Sequence, residues 1–305
     1  MAGHAHDHAG GGHGHVGATH RWRLQVALAL VGTFFVVELA AGIWSGSLSV
    51  ISDAGHMAAD TVGLIVALGA TAWATRPDHT GRRTYGRYRV EIFAAGLSVL
   101  LMMAVSVYVL VSAIGRLGAP VEVHAGVMVV IGLVGLAVNL VTLLLLRDGS
   151  KESLNIKGAY LEVMADALGS VGVLLAGVAT WLTGWPLWDT VLALVLALYV
   201  AVRAVLLGRE VLSVLGQSAP PGIDPADARD RLASVTGVLE VHDLHLWQLT
   251  SGMNVATAHL VSTTGADPAG ILIEASALMR EEFGIDHATL QVEPSGSGAC
   301  QGTEW

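Results

Sequence analysis

The sequence predicts an all-α polytopic membrane domain followed by a small α+β domain. Hydrophobic residues make up 53% of the 305-residue chain and charged residues only 13%, whereas soluble domains carry about 25% charged residues. Six apolar segments each exceed the roughly 20 residues that a helix needs to cross the hydrocarbon of a bilayer. After the proline pair at 220–221 the composition becomes mixed and polar, which indicates a second domain outside the membrane.

The six predicted transmembrane helices are joined by short connections. Lys and Arg are frequent in the connections on one side, whereas the opposite connections hold only Arg116. Because basic loops are retained in the cytoplasm, this asymmetry predicts that both termini are cytoplasmic. By hydropathy, the spans cover about 24–45, 49–75, 90–115, 124–147, 156–182 and 187–208.

The predicted domain boundaries follow the changes in composition. Residues 21–210 form the transmembrane domain, 211–295 the cytoplasmic domain and 296–305 a flexible tail. Residues 1–20 are rich in Gly and His and cannot form a core, so we expect a disordered cytoplasmic arm. The arm either binds metal weakly or is a solvated tail. The arm histidines are His4, His6, His8, His13 and His15, followed by His20.

The cytoplasmic domain has the pattern of a small open sheet. Amphipathic helices are predicted at 225–235 and 268–283, and strands at 238–249, 253–263 and 286–293. The order α-β-β-α-β is typical of a ferredoxin-like α+β fold with its helices on one face.

Single residues give further expectations for this domain. Asp224 and Asp267 precede the predicted helices and can cap their first turns. On strict alternation along a strand, His242 points away from the face of Val241, whereas His245 shares that face.

Ionisable side chains interrupt the second and fifth predicted spans. His56 precedes Asp60 by four residues, and Glu162 precedes Asp166 by four, so each pair shares one face of a helix. A charged group near the bilayer centre costs about 2.5–3.5 kcal/mol, so such residues are usually functional. Together the pairs offer one imidazole and three carboxylates, which suits a tetrahedral divalent metal site. The alternative is two unrelated interhelical hydrogen bonds.

The types of ligand narrow the choice of metal. Imidazole with carboxylates suits Zn²⁺, and also Co²⁺, Ni²⁺, Mn²⁺ or Cd²⁺. The lack of a thiol or a methionine cluster in these spans disfavours Cu⁺, and Ca²⁺ usually takes six to eight oxygen ligands. Asp53, three residues before His56, either supports this site or is the polar start of its helix.

Four sequence runs carry a resemblance to a known family. SLSVISDAGHMAAD at 47–60 and NIKGAYLEVMADALGSVG at 155–172 resemble the second- and fifth-span signatures of the cation diffusion facilitators. YGRYRVE at 85–91 resembles their loop into the third span, and HDLHLW at 242–247 resembles the start of their cytoplasmic domain. The match covers nearly the whole chain outside its tails and is similar to the bacterial zinc, cadmium and cobalt efflux branch.

The resemblance implies a homodimeric metal/proton antiporter of the bacterial cytoplasmic membrane. It implies His56, Asp60 and Asp166 as ligands of the transport site, with Glu162 where histidine is typical. Zinc remains the favoured ion because a carboxylate still binds Zn²⁺. The added carboxylate makes the site harder, which favours Mn²⁺, Co²⁺ and Ni²⁺ as alternatives. Cd²⁺ stays open as a further alternative within the same family.

The resemblance also implies a metallochaperone-like cytoplasmic domain that senses metal and dimerises. Its metal site involves His242, His259 and Glu293, whereas Gln291 stands where a third histidine sometimes occurs. Zinc is then both the transported substrate and a regulatory ligand.

The predicted function is secondary active transport rather than enzymatic catalysis. The chain has no GxxxxGK[ST] loop for a nucleotide and no nucleic-acid-binding motif, and its metal ligands must release protons to bind. We therefore expect protons as the counter-substrate, and a second copy of the chain, the lipid bilayer and divalent metal ions as partners. The rival hypotheses are a metal-gated channel, a membrane-bound metal sensor and an intramembrane zinc hydrolase.

Overall fold

The structure is a computed structural model that describes residues 21–74, 82–118, 121–147 and 154–296. For residues 21–25, 60, 63–74 and 154–158 it describes the backbone but not the side chains. The chain divides into two compact units. The first comprises the residues up to Val62 together with Ser98–Ala204, and the second comprises Gly63–Leu97 together with the chain from Val205.

Long helices, α1 to α6, account for most of the described chain as far as residue 215. The apolar runs contain no internal proline, and prolines 77, 120 and 186 fall between these runs in the sequence, where proline favours the end of a helix. Each helix overlaps one predicted span, although α6 continues past residue 208. The bounds of α1 to α6 are Arg21–Ser45, Leu48–Ala74, Val90–Gly118, Ala125–Leu146, Leu154–Thr183 and Leu187–Leu215.

Among the described residues, five helices are long and apolar enough to cross a membrane. The predicted span at 49–75 corresponds to α2, whose side chains from residue 63 onward are not described. The predicted helical membrane domain is confirmed, whereas the number of six crossings and the side of the termini stay predictions. The five stretches are Val26–Ser45, Val90–Leu117, Ala125–Leu146, Ala159–Thr183 and Leu187–Leu215.

Glycines allow α4 and α5 to pack closely in the first unit. A Cβ at Gly132 would lie 2.8 Å from the backbone nitrogen of Leu174, and a Cβ at Gly177 would lie 2.9 Å from a side-chain atom of α4. Such contacts leave no room for a side chain, as is common where membrane helices approach closely. Asn139 of α4 also donates a hydrogen bond of 3.2 Å to the hydroxyl of Ser170 on α5.

A carboxylate from α6 holds the start of α2. The buried Asp189 accepts hydrogen bonds from the hydroxyls of Ser47 and Ser49 at 2.7 and 2.6 Å. It also accepts one from the backbone N–H of Leu48 at 2.9 Å. The first N–H groups of a helix lack partners within the helix and favour a negative charge. Arg116 of α3 lies 3.4 Å from the same carboxylate, so α2, α3 and α6 meet at this point.

The second unit contains the predicted α+β domain. β1 pairs antiparallel with β2, and β2 pairs parallel with β3. Because parallel strands need a crossover connection, α8 lies between β2 and β3 in the chain. The predicted α-β-β-α-β order is confirmed. The bounds are Pro225–Ala233 for α7, Val238–Thr250 for β1, Met253–Ser262 for β2, Pro268–Glu281 for α8 and His287–Pro294 for β3.

Both helices of this domain bury their apolar side chains against one face of the sheet. Leu232 of α7 and Met279 of α8 are buried in the same core as Ala258 and Leu260 of β2. The helices begin at the predicted caps. Asp224 accepts a hydrogen bond of 2.9 Å from the backbone N–H of Ala226 in α7, and Asp267 accepts two of 3.1 Å from backbone N–H groups of α8.

A β-bulge changes the directions of the side chains along β1. The register shifts between His242 and His245, and Asp243 has a positive φ of 54°. Because a bulge adds one residue to a strand, Val241 and Leu246 both face the core while His245 is exposed. The expectation from strict alternation that His245 shares the face of Val241 is therefore wrong.

Candidate metal centres

α2 and α5 bring an imidazole and a carboxylate together within the first unit. Nε2 of His56 lies 3.9 Å from Oδ1 of Asp166, and only 5% and 9% of these side chains are exposed. Two ligands of a tetrahedral zinc, each about 2.0–2.1 Å from the ion, lie about 3.3 Å apart. A small movement of either helix would therefore let both atoms bind the same ion.

The other two predicted ligands occupy the expected helical positions. Glu162 lies one turn before Asp166 on α5, and 52% of its side chain is exposed. Asp60 lies one turn after His56 on α2, but its side chain is outside the description. Its participation in the site stays a prediction.

Arg203 of α6, which belongs to none of the sequence motifs, also reaches these side chains. Its Nη1 lies 3.1 Å from Nε2 of His56, and its Nη2 lies 3.5 Å from Oε1 of Glu162. Because a guanidinium only donates hydrogen bonds, Nε2 of His56 supplies the lone pair in this contact. One turn earlier on α6, the ring of Tyr199 meets the imidazole edge-on, with 5.9 Å between ring centroids.

The sequence contains one signal for Arg203. Apart from Asp189 near the start, it is the one charged residue in the sequence of the predicted sixth span at 187–208, so the cost of burying a charge applies to it as it does to His56. However, a long basic side chain towards the end of a span can extend to the interface. Sequence alone therefore does not separate a site residue from an interface residue at this position.

Asp53 lies between α1 and α5, one turn before His56. Its carboxylate is buried against α5, where a Cβ at Gly169 would be 2.6 Å from Oδ1. The buried carboxyl group of Glu38 on α1 is a close neighbour of this carboxylate. Its predicted role as a support for the metal ligands stays a prediction.

The sheet of the second unit brings three predicted ligands together. His242 pairs with His259 across β1 and β2, and Glu293 lies on the neighbouring β3. Nδ1 of His259 is 3.0 Å from Oε1 of Glu293, and Nε2 of His242 is 3.5 Å from Oε2. One ligand atom from each residue lies within 4.8 Å of the other two. This histidine–glutamate cluster is small enough to hold one metal ion.

Two further side chains surround this cluster. Oδ2 of Asp243 lies 3.8 Å from Nε2 of His259, and its Oδ1 lies 3.0 Å from Nε2 of His245. Gln291 donates a hydrogen bond of 2.8 Å to Oε1 of Glu293 and so orients that carboxylate. Asp243 is absent from the predicted set because the sequence does not reveal the bulge that turns its side chain.

The remaining predicted ligands lie outside the described residues. They are the histidines of the N-terminal arm, namely His4, His6, His8, His13 and His15.

Family comparisons agree with the motifs on α2, α5 and β1. The family model described as the cation efflux transmembrane domain matches residues 24–215, and that of the cation efflux protein cytoplasmic domain matches residues 220–295. The chain belongs to the cation efflux family. The resemblance to the cation diffusion facilitators is thereby confirmed.

Relatives within the cation efflux family align over most of the chain. The metal cation efflux system protein CzcD of Cupriavidus metallidurans is 41% identical over 293 residues, which cover 96% of this chain and 90% of CzcD. A cadmium, cobalt and zinc/H(+)-K(+) antiporter of Bacillus velezensis is 33% identical over 299 residues, covering 95% and 92%. The zinc transporter ZitB of Escherichia coli is 33% identical over 273 residues, covering 89% and 87%. The likeness therefore includes both domains.

Proposed function

We propose that this cation efflux protein exports a divalent metal ion, with zinc preferred, in exchange for protons. The observation that carries the proposal is the meeting of His56 and Asp166, from two different apolar helices, at 3.9 Å. An imidazole and carboxylates suit Zn²⁺ and related ions. The names of the relatives, a metal cation efflux protein, an antiporter of cadmium, cobalt and zinc and a zinc transporter, support the same activity.

Energetics support coupling to protons. Moving a divalent cation outward against an inside-negative potential costs about 2 × 2.3 kcal/mol per 100 mV. Metal ligands must lose their protons to bind, and histidine exchanges its proton near neutral pH. A proton and a metal ion therefore compete for His56. Protons arriving from the outer side displace the metal there, and the returning helices carry protons inward.

Everted membrane vesicles test this exchange, because their lumen corresponds to the outer side of the cell. An acidic lumen should drive zinc into the vesicles, and the lumen should become more alkaline in step with zinc entry. His56→Ala vesicles serve as the control and should show neither change. Zinc entry that is unaffected when the proton gradient is clamped would contradict proton coupling and favour the channel hypothesis.

The choice of zinc depends most on Glu162. Replacing Glu162 by His restores the ligand that is typical of the family and makes the site softer. We expect the zinc-to-manganese transport ratio to rise several-fold in this variant, measured by competition in the same vesicles. An unchanged selectivity order would show that Glu162 does not set the choice of ion.

A second proposed function is metal sensing by the histidine–glutamate cluster. Its ligand atoms already lie within 4.8 Å of each other, so a metal ion needs little rearrangement to bind. The homodimer and the cytoplasmic placement of this domain belong to the same proposal. Crosslinking of the full chain in membranes, with and without zinc, tests whether metal binding changes the contact between two copies.

A further inference from the structure

α6 places a permanent positive charge among the candidate transport ligands. The guanidinium of Arg203 lies 3.1 Å from Nε2 of His56 and 3.5 Å from the carboxylate of Glu162. An arginine side chain does not lose its proton in a protein. The site therefore contains a cation even when it holds no metal.

The guanidinium of Arg203 contacts the same nitrogen of His56 that would bind a metal ion. Nε2 of His56 has one lone pair, and that lone pair accepts the N–H of Arg203. The same lone pair must point at a metal ion in order to bind it. Arg203 and a metal ion therefore compete for Nε2 of His56, and their like charges oppose simultaneous binding.

We propose that Arg203 is a tethered counter-cation, which occupies the transport site in the metal-free state and is displaced by the incoming metal. This inference rests on the proposed transport function. In the metal-free state the guanidinium offsets negative charge on Glu162, which lowers the cost of holding carboxylates within the span. In the loaded state its tendency to return weakens metal binding and speeds release.

The arginine has room to leave. Its side chain is 30% exposed, in contrast to the nearly buried His56, and a long basic side chain can swing its head towards an aqueous interface. On α6, Arg203 lies fourteen residues after Asp189, or about 21 Å along the helix. The Asp189 end is held by its hydrogen bonds to the start of α2, so this anchor and the contacts of Arg203 lie far apart on the same helix.

Zinc affinity of the full chain in nanodiscs tests the proposal. The transport-site signal is the zinc binding that disappears in the His56→Ala background, which separates it from other sites. Arg203→Gln should bind zinc about ten-fold more tightly, which corresponds to about 1.4 kcal/mol, and should transport more slowly because release is slower. Arg203→Lys keeps a positive charge but loses the two-pronged contact of the guanidinium, so its zinc affinity should lie between those of the wild type and Arg203→Gln. Arg209→Gln, which removes an exposed arginine from the same helix, is the matched control and should change neither quantity.

Melting temperatures with and without zinc show whether a variant is merely destabilised or binds zinc differently. Without zinc, Arg203→Gln should melt at a lower temperature than the wild type, yet zinc should raise its melting temperature by more. Weaker or unchanged zinc binding in Arg203→Gln overturns the counter-cation role, as does equal tightening in Arg203→Lys. If His56→Ala removes no zinc binding from the wild type, the transport site itself is wrong, whatever the arginine variants show.

Discussion

The proposed transport site lies between helices, whereas the histidine–glutamate cluster lies on a hydrogen-bonded sheet. In the first, His56 and Asp166 approach to 3.9 Å and Arg203 lies beside them. In the second, His259 and Glu293 approach to 3.0 Å on adjacent strands. Both sites use imidazole and carboxylate, so the difference lies in the elements that carry them.

The helices and the sheet that carry these ligands are suited to different functions. Backbone hydrogen bonds hold neighbouring strands about 4.8 Å apart, so the backbone positions that carry the cluster are fixed relative to each other. Helices are held to each other by side-chain packing and can shift as units. A transport site must release its ion on each cycle, which favours ligands on separate helices, while a sensing site benefits from ligands that are already in place.

Removing the imidazole of the helical site has the largest expected effect. His56→Ala should reduce zinc transport in proteoliposomes at least about 100-fold, because it deletes a ligand that no described neighbour replaces. Zinc binding by the histidine–glutamate cluster should persist in the same sample. His287→Ala, which removes an exposed histidine outside both sites, is the control. Transport near the wild-type rate in folded His56→Ala protein would remove the helical site from the mechanism.

The helical site also depends on close packing between helices, whereas the cluster on the sheet does not. Gly169→Ala places a Cβ 2.6 Å from Oδ1 of Asp53, so the carboxylate or the helices must shift, at a cost of about 1–3 kcal/mol. We expect roughly ten-fold slower transport with little effect on the sheet. In the control Gly172→Ala, the new Cβ meets the end of the flexible Leu192 side chain at 3.0 Å. Equal transport rates for the two variants would show that the contact with Asp53 has no special importance.

Loss of one histidine from the sheet should have a smaller effect on transport. His259→Ala should lower the zinc affinity of the cluster about 10–100-fold and remove one bound zinc per chain at micromolar zinc. Isothermal titration of the full chain measures both quantities. If the cluster senses metal, the zinc concentration for half-maximal transport should also rise several-fold. An unchanged binding stoichiometry contradicts the metal assignment of the cluster.

The smallest expected effect concerns an ion pair between α7 and Glu282, the residue that follows α8. Arg231 forms a hydrogen-bonded ion pair with Glu282, which holds the pKa of Glu282 below its ordinary value. Such a pair stabilises the fold above the ordinary pKa of glutamate, and the contribution is lost as the pH falls through the lowered value. Because both groups are exposed, Arg231→Ala should lower the melting temperature slightly at neutral pH and not at all in strong acid. If the two proteins differ in melting temperature by the same amount at neutral pH and in strong acid, the ion pair is not the cause of the difference.

Patterns that repeat along the chain made much of the fold predictable. The apolar runs predicted all six long helices because a bilayer span has a minimum length, and the caps Asp224 and Asp267 marked the starts of α7 and α8. The bulge at Asp243 was not predictable, because it depends on how β1 pairs with β2. It reversed the expected side of His245 and brought Asp243 towards His259.

For the candidate sites, too, the local features were predictable from the sequence and the long-range contacts were not. Spacing placed His56 with Asp60, and Glu162 with Asp166, on the faces of two helices, because an i, i+4 relation is local. The sequence could not show that Arg203 would donate to His56, since nothing local connects residues 147 positions apart.

The class of protein, the types of ligand and the helical faces that carry them were all predictable from the sequence. These properties follow from composition and from periodicities of a few residues. Tertiary structure alone decided that Asp189 holds the start of α2, that a bulge redirects β1 and that a guanidinium shares His56 with the candidate ligands. Each of these depends on residues distant in the chain whose side chains meet only when helices and strands pack.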